Sequence, residues 1–207
     1  MVKQPFLPEL IQQYLYHETH DDSDFSDSEP DFDQYPVPHT VSTFASAVVH
    51  MFAPNEQSNF KGMRRERIRA VASWRNGPPR FDCAFVTKDS SLLGFEGLHV
   101  VRINLFFSFN TPGGLTHSCA LVSWFTPTGV TADQTTGMWI VEPLKDENDT
   151  QIQSVIDIRH IIRGAHLIGH PGLSTLPSTL TYADTFDAFT HFYVNKFIDY
   201  NAHEIAF

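Results

Sequence analysis

Six cations fall within fifteen residues: Lys61, Arg64, Arg65, Arg67, Arg69 and Arg75, with Glu66 the one acidic residue among them. Cationic side chains at this density neutralise phosphates, giving sequence-independent binding that weakens as salt rises. Trp74, in the same run, adds a ring face on which a nucleobase can stack. The arginines would serve equally well as ion-pair partners for carboxylates of this chain or of a neighbouring domain. A second group, Trp124, Phe125 and Trp139, has the ring types of an aromatic cage for a methylated lysine. Core packing is the ordinary use of such rings.

The histidines and carboxylates offer less. Of eleven histidines, His160, His166 and His170 lie close together, but spacings of six and four do not match a helical metal-ligand pair. His166, within AHLIG, reads as a core histidine, although a hydrolase pairing His160 or His166 with Asp157 is an alternative. Paired-carboxylate chemistry would draw on Asp82, Glu96, Asp133, Glu142, Asp157, Asp184 and Asp187, none of which sits in a diagnostic motif. There is no GxSxG, GxxxxGK[ST] or GxGxxG. Cys83 and Cys119 have neither zinc-site spacing nor a disulfide framework, and both read as buried thiols. The expectation is therefore no catalytic residue, no metal, no cofactor and no small-molecule substrate.

The elements that must position these groups are mostly strands. Between Gly97 and Gly169, short apolar segments of period two follow one another: GLHVVRINLFFSFN, HSCALVSWFTPTG, GMWIVEP and SVIDIRHIIRGAHLIG. In His99–Asn110 the alternation sets Val101, Ile103, Leu105, Phe107 and Phe109 on one face, with Arg102, Asn104 and Ser108 on the other. Thr111-Pro112-Gly113-Gly114 supplies a turn, so His117–Phe125 should return antiparallel, apolar on both faces and therefore covered on both sides. Further strands are expected at 41–51, where the composition also allows a helix, and at 81–87, 137–142, 155–158 and 165–168, with a tight turn at Arg159–Arg163. Short strands with Gly/Pro turns predict a mainly β fold, a small antiparallel barrel or rolled sheet. The chain has 207 residues, 42 % of them hydrophobic and 18 of them phenylalanine, enough for one substantial core.

The ends differ from the middle. Leu7–Tyr16 has helical spacing at Leu10, Ile11, Tyr14 and Leu15, followed by HETHDDSDFSDSEPDFD. This acidic, serine-rich stretch cannot bury enough apolar surface to fold alone, so residues 1–40 read as a short helix plus a disordered acidic arm. Ser23, Ser26 and Ser28 are available there to a kinase, and the arm's charge could compete with DNA for a basic surface. Phe186, Phe189, Tyr193 and Phe197 form a helical stripe behind Asp184, predicting a C-terminal helix over about 184–200 that closes a single β-rich domain, 41–207. Net charge is −10, yet eight of 24 acidic residues lie at 18–33 and seven of 14 basic residues at 61–80. A chain of this charge binds nucleic acid only through a local basic patch. Without a signal pattern or an apolar run of membrane length, the expected location is intracellular.

GMRRERIRAVASWRNGPPRFDCAFV, GLHVVRINLFFSF, CALVSWF, TTGMWIVEP, VIDIRHIIRGAHLIG and DAFTHFYVNKFIDYNAHEIAF together resemble the C-terminal region of Plavaka-type transposon proteins of mushroom-forming fungi. The resemblance runs from about Leu7 to Phe207. It implies an accessory domain detached from an upstream transposase catalytic domain, with that domain, DNA or chromatin as partner and the nucleus as location. The family's catalytic residues have no positions here onto which they could be carried. A looser similarity, in the order of Ala120–Phe125, Trp139–Val141 and Val155–Ile168, is to the bromo-adjacent homology (BAH) β-barrel of chromatin proteins.

Overall fold

The computed structural model describes residues 4–20, 31–53, 61–172 and 178–207. The central part of the acidic arm, with Ser23, Ser26 and Ser28, lies outside them. Helix α1 spans Leu7–Thr19, and strands β1 (Ser42–Phe44), β2 (Ser46–Phe52), β3 (Met63–Val71), β4 (Arg80–Phe81) and β5 (Cys83–Thr87) follow. A long hairpin, β6 (Leu98–Asn110) and β7 (Thr116–Pro127), leads to β8 (Ile140–Pro143), β9 (Gln153–Asp157), β10 (Ile161–Ala165) and β11 (Leu167–His170). The chain ends with one turn of helix, α2 (Thr185–Ala188), strand β12 (His191–Val194) and helix α3 (Tyr200–Ile205).

The main sheet is antiparallel, in the order β10-β5-β6-β7-β8-β12-β11. Its two ends, β10 and β11, are separated only by His166, so one bent strand turns the sheet into a nearly closed barrel. Alternate side chains then fall inside. Cys83, Phe85, Val100, Phe125, Val141, Phe192 and Val194 form one buried cluster with Phe95, Trp139 and Ala206, and Ala165 and Leu167 from the closing strand pack against it.

The β6–β7 hairpin is longer than the barrel and runs on beyond it, pairing β1 on one edge and β9 on the other. Its outer face, Val101, Ile103, Phe106, Ala120 and Val122, is covered by Ile68 and Ala70 of β3, with Ala47 and Val49 of β2. The opposite face of the extension, Leu105, Phe107, Phe109, Cys119 and Leu121, is covered by Ile11, Tyr14 and Leu15 of α1. Both faces of β7 are therefore buried, as its apolar composition requires. No helix of the described residues is long and apolar enough to cross a membrane.

Three sequence expectations need correction. The face assignment along β6 fails at Asn104, where the pairing passes from Ile103↔Val122 to Leu105↔Leu121. Asn104 is an extra, bulged residue, so Val101 and Ile103 face β3 while Leu105, Phe107 and Phe109 face α1. Its amide donates to Ser123 Oγ at 2.7 Å.

The C-terminal helix is present, but at Tyr200–Ile205, and the stretch 184–200 is not continuous helix. Residues 191–194 pair with β11 and β8 because the barrel needs a strand between them, and Phe192 and Val194 alternate into its interior. Tertiary pairing here overrides the helical stripe. Asp184 does not cap a long helix: its carboxylate accepts from Thr181 N at 3.0 Å and Thr181 Oγ1 at 2.6 Å. Lastly, the tight turn expected at Arg159–Arg163 is a 3₁₀ turn at Ile158–His160, and Arg163 belongs to β10.

Candidate nucleic-acid interface

Strand geometry divides the basic cluster in two. Along β3, Arg64, Glu66, Ile68 and Ala70 turn towards the barrel, and Arg65, Arg67 and Arg69 turn away from it. The outward arginines stand about 7 Å apart, two strand residues at a time. Their cross-strand partners on β2 are His50, Val48 and Ser46, none of them acidic. Arg67 Nη1 donates to Ser46 Oγ at 3.0 Å. Among the described residues, no carboxylate forms an ion pair with Arg65, Arg67 or Arg69. Lys61 lies at the other end of β3, with φ 53°.

The row leads into the β3–β4 hairpin. Gly77 N donates to Trp74 O at 2.9 Å, and both central residues are left-handed, Arg75 at φ 53° and Asn76 at φ 61°. These are the signs of φ of a type I′ turn, whose twist suits antiparallel strands. Three guanidinium carbons surround the half-buried Trp74 ring: Arg69 at 4.5 Å, Arg75 at 5.3 Å and Arg80 at 5.5 Å from its centroid. Asp82 offsets one of them, accepting from Arg80 Nε at 2.7 Å. Its other oxygen accepts from the Arg69 backbone N–H at 2.9 Å.

The inward pair joins a different assembly, which sequence reasoning missed. Arg163 is 2 % exposed and forms a fork with Asp199: Nη1 to Oδ1 at 2.8 Å and Nη2 to Oδ2 at 2.7 Å. The same Nη1 reaches Asn201 Oδ1 at 2.9 Å. Arg64 Nη1 adds a contact to Asp199 Oδ2 at 3.0 Å, and Glu66 Oε2 accepts from Gly164 N at 2.9 Å. Asp199 is also the N-cap of α3, accepting from Ala202 N at 2.7 Å. Burial pushes its carboxyl up, but the Arg163 and Ala202 hydrogen bonds and the two guanidinium charges outweigh that and hold it at about 2. Arg64, Glu66, Arg163, Gly164 and Asp199 line a cleft of about 340 Å³, with Arg67, Arg80, Asp82 and His166 also on its wall. The only signal in the sequence was Asp199 as a helix cap, and the α3 helix it caps is too short to show a period.

The remaining candidates separate. Trp124, Phe125 and Trp139 do share the wall of one cavity, about 390 Å³, with Phe95, His99 and Glu96. Phe125 belongs to the barrel core, however, and Trp139 stacks on Phe95 with centroids 4.9 Å apart. Trp124 Nε1 donates to Ser154 Oγ at 2.9 Å. Asp157 and His160 border a smaller cavity, but Asp157 is taken up by Arg159, whose backbone N–H and Nε it accepts at 2.7 and 2.9 Å. His166 lies elsewhere and is not the core histidine expected from the sequence: it is exposed at the bend between β10 and β11, its Nδ1 3.0 Å from Asn195 Nδ2. Among the described residues, no three of His, Cys, Asp and Glu converge into a metal-binding group. Burial raises both thiols to about 12, Cys83 in the barrel and Cys119 under α1.

Fold and site define a small, nearly closed β-barrel with an arginine-faced ribbon packed on its outside. No family model, curated protein or solved structure matches this chain.

Proposed function

We propose that this chain is a non-catalytic accessory module of a transposon-derived protein, which contacts nucleic acid in the nucleus through the outward face of β2 and β3. The observation that carries the reading is the row Arg65, Arg67, Arg69, three guanidinium groups at regular spacing on one outward face, Arg65 and Arg67 exposed and Arg69 half-buried against Trp74, without a carboxylate partner among the described residues. Exposed cations left unpaired in a chain of net charge −10 are a local attractor for an anionic polymer. Arg64 is a structural member of the Asp199 network and does not belong to this face. A transposase catalytic domain is the other partner the resemblance implies, and it would meet the same row through carboxylates.

Salt-dependent fluorescence anisotropy with labelled oligonucleotides tests the reading. Three phosphate contacts give a slope of log K against log salt of about −2.7 on duplex DNA and about −2.1 on a single strand. The variant Arg65→Ala/Arg67→Ala/Arg69→Ala should bind weakly, with a slope near zero. Absence of wild-type binding at low salt would overturn the proposal.

A further inference from the structure

We infer that the β3–β4 hairpin tip, Trp74 with Arg69, Arg75 and Arg80, makes this interface selective for unpaired nucleic acid. The inference rests on the nucleic-acid reading above and deepens it. A row of arginines alone contacts phosphates and does not distinguish a single strand from a duplex, because both present phosphates on the outside. Ring and guanidinium planes do distinguish them, since they need a base face to stack on, and a duplex hides its base faces within the stack.

The tip is built to hold such planes. Trp74 is fixed at both backbone groups, its N–H donating to Pro78 O at 3.1 Å and its carbonyl accepting from Gly77 N at 2.9 Å. Pro78 and Pro79 stiffen the return strand. Three positive charges within 5.5 Å of one ring repel one another, and Asp82 forms an ion pair with one of them, Arg80. An anionic, planar ligand relieves that repulsion; a nucleotide with its base exposed is such a ligand.

Arg75 strengthens the case. A type I′ turn favours Asn or Gly at both central positions, and Asn76 follows that rule where Arg75 does not. A left-handed arginine is strained backbone, and strain of this kind is retained where the side chain has a use. Here it projects a cation from the tip beside the indole.

Three probes of equal length settle the matter: oligothymidylate, a duplex, and an abasic single strand that keeps the phosphates and lacks the bases. Wild-type protein should bind oligothymidylate at least tenfold more tightly than either other probe. Trp74→Ala should remove that preference, leaving duplex affinity within about twofold, and Trp74→Phe should restore part of it, because one stacked base is worth roughly tenfold or more. Arg75→Gly should raise the melting temperature while weakening oligothymidylate binding, which a purely structural Arg75 would not do. Equal binding of all three probes, still abolished by the Arg65/Arg67/Arg69 variant, would overturn the tip inference and leave the interface standing. No binding to any probe would overturn both.

Discussion

Asp199→Asn isolates the charge of the buried network, because asparagine can still cap α3 through its side-chain oxygen while giving up the carboxylate that Arg163 grips. An aspartate held at about 2 instead of 3.8 is favoured in the folded state by about 2 kcal/mol, at roughly 1.4 kcal/mol per unit. The side chain is 15 % exposed, so solvent screening removes little of this. A depressed carboxyl stabilises the fold above its unfolded pKa, and that contribution is lost as pH falls through the folded one. The full amount is therefore present at pH 7, and about half is gone by pH 3.

Urea melts followed by tryptophan fluorescence at pH 7, 5, 4 and 3 measure the gap between wild type and Asp199→Asn. At pH 7 the variant should be less stable by about 2 kcal/mol or more, since breaking a buried pair also leaves Arg163 short of a partner. The gap should stay level to pH 5 and then narrow by about 1 kcal/mol at pH 3. The carboxyls of Asp89, Asp133, Asp157 and Asp184 are also lowered, but they are present in both proteins and cancel in the difference. A gap that stays constant from pH 7 to pH 3 refutes the assignment of Asp199 as a buried, arginine-held anion.

Two further outcomes follow from the packing. Deleting Asn104 should be tolerated, costing about 1 kcal/mol for the lost Ser123 hydrogen bond, because removal of a bulged residue leaves Ile103 and Leu105 on their present faces. Deleting Arg102 instead moves Ile103 out of its buried place and Asn104 into it; its melting temperature should fall far more, and equal shifts for the two deletions would discredit the bulge. A thiol reagent at pH 8 should label neither Cys83 nor Cys119 in the native protein and both in urea, since each is buried and raised to about 12. Rapid labelling of either one under native conditions contradicts this packing.

What could be read from the chain depended on how far each residue's constraint reaches along it. The period-two pattern of β6 and β7 and the Pro-Gly-Gly turn are local, and they are where the structure puts them. The bulge at Asn104 left no local mark: the alternation looks unbroken, and only the pairing partners Val122 and Leu121 show that the chain slips by one residue. Strand β12 was hidden for a related reason. HFYV sits within a helical aromatic stripe, and what makes it a strand is the gap between β8 and β11 that it fills. The basic cluster shows the same limit at the level of the site. Six cations close in sequence read as one patch until strand geometry sends Arg64 inward to Asp199, 135 residues away, and Arg65, Arg67 and Arg69 outward. Because β3 alternates, a charge run on it always splits between two faces, so the interface is set by the parity of residue numbers as much as by the number of charges. Moving one of those arginines by a single position would exchange a phosphate contact for a charge facing the barrel, and the cost would appear in stability before it appeared in binding.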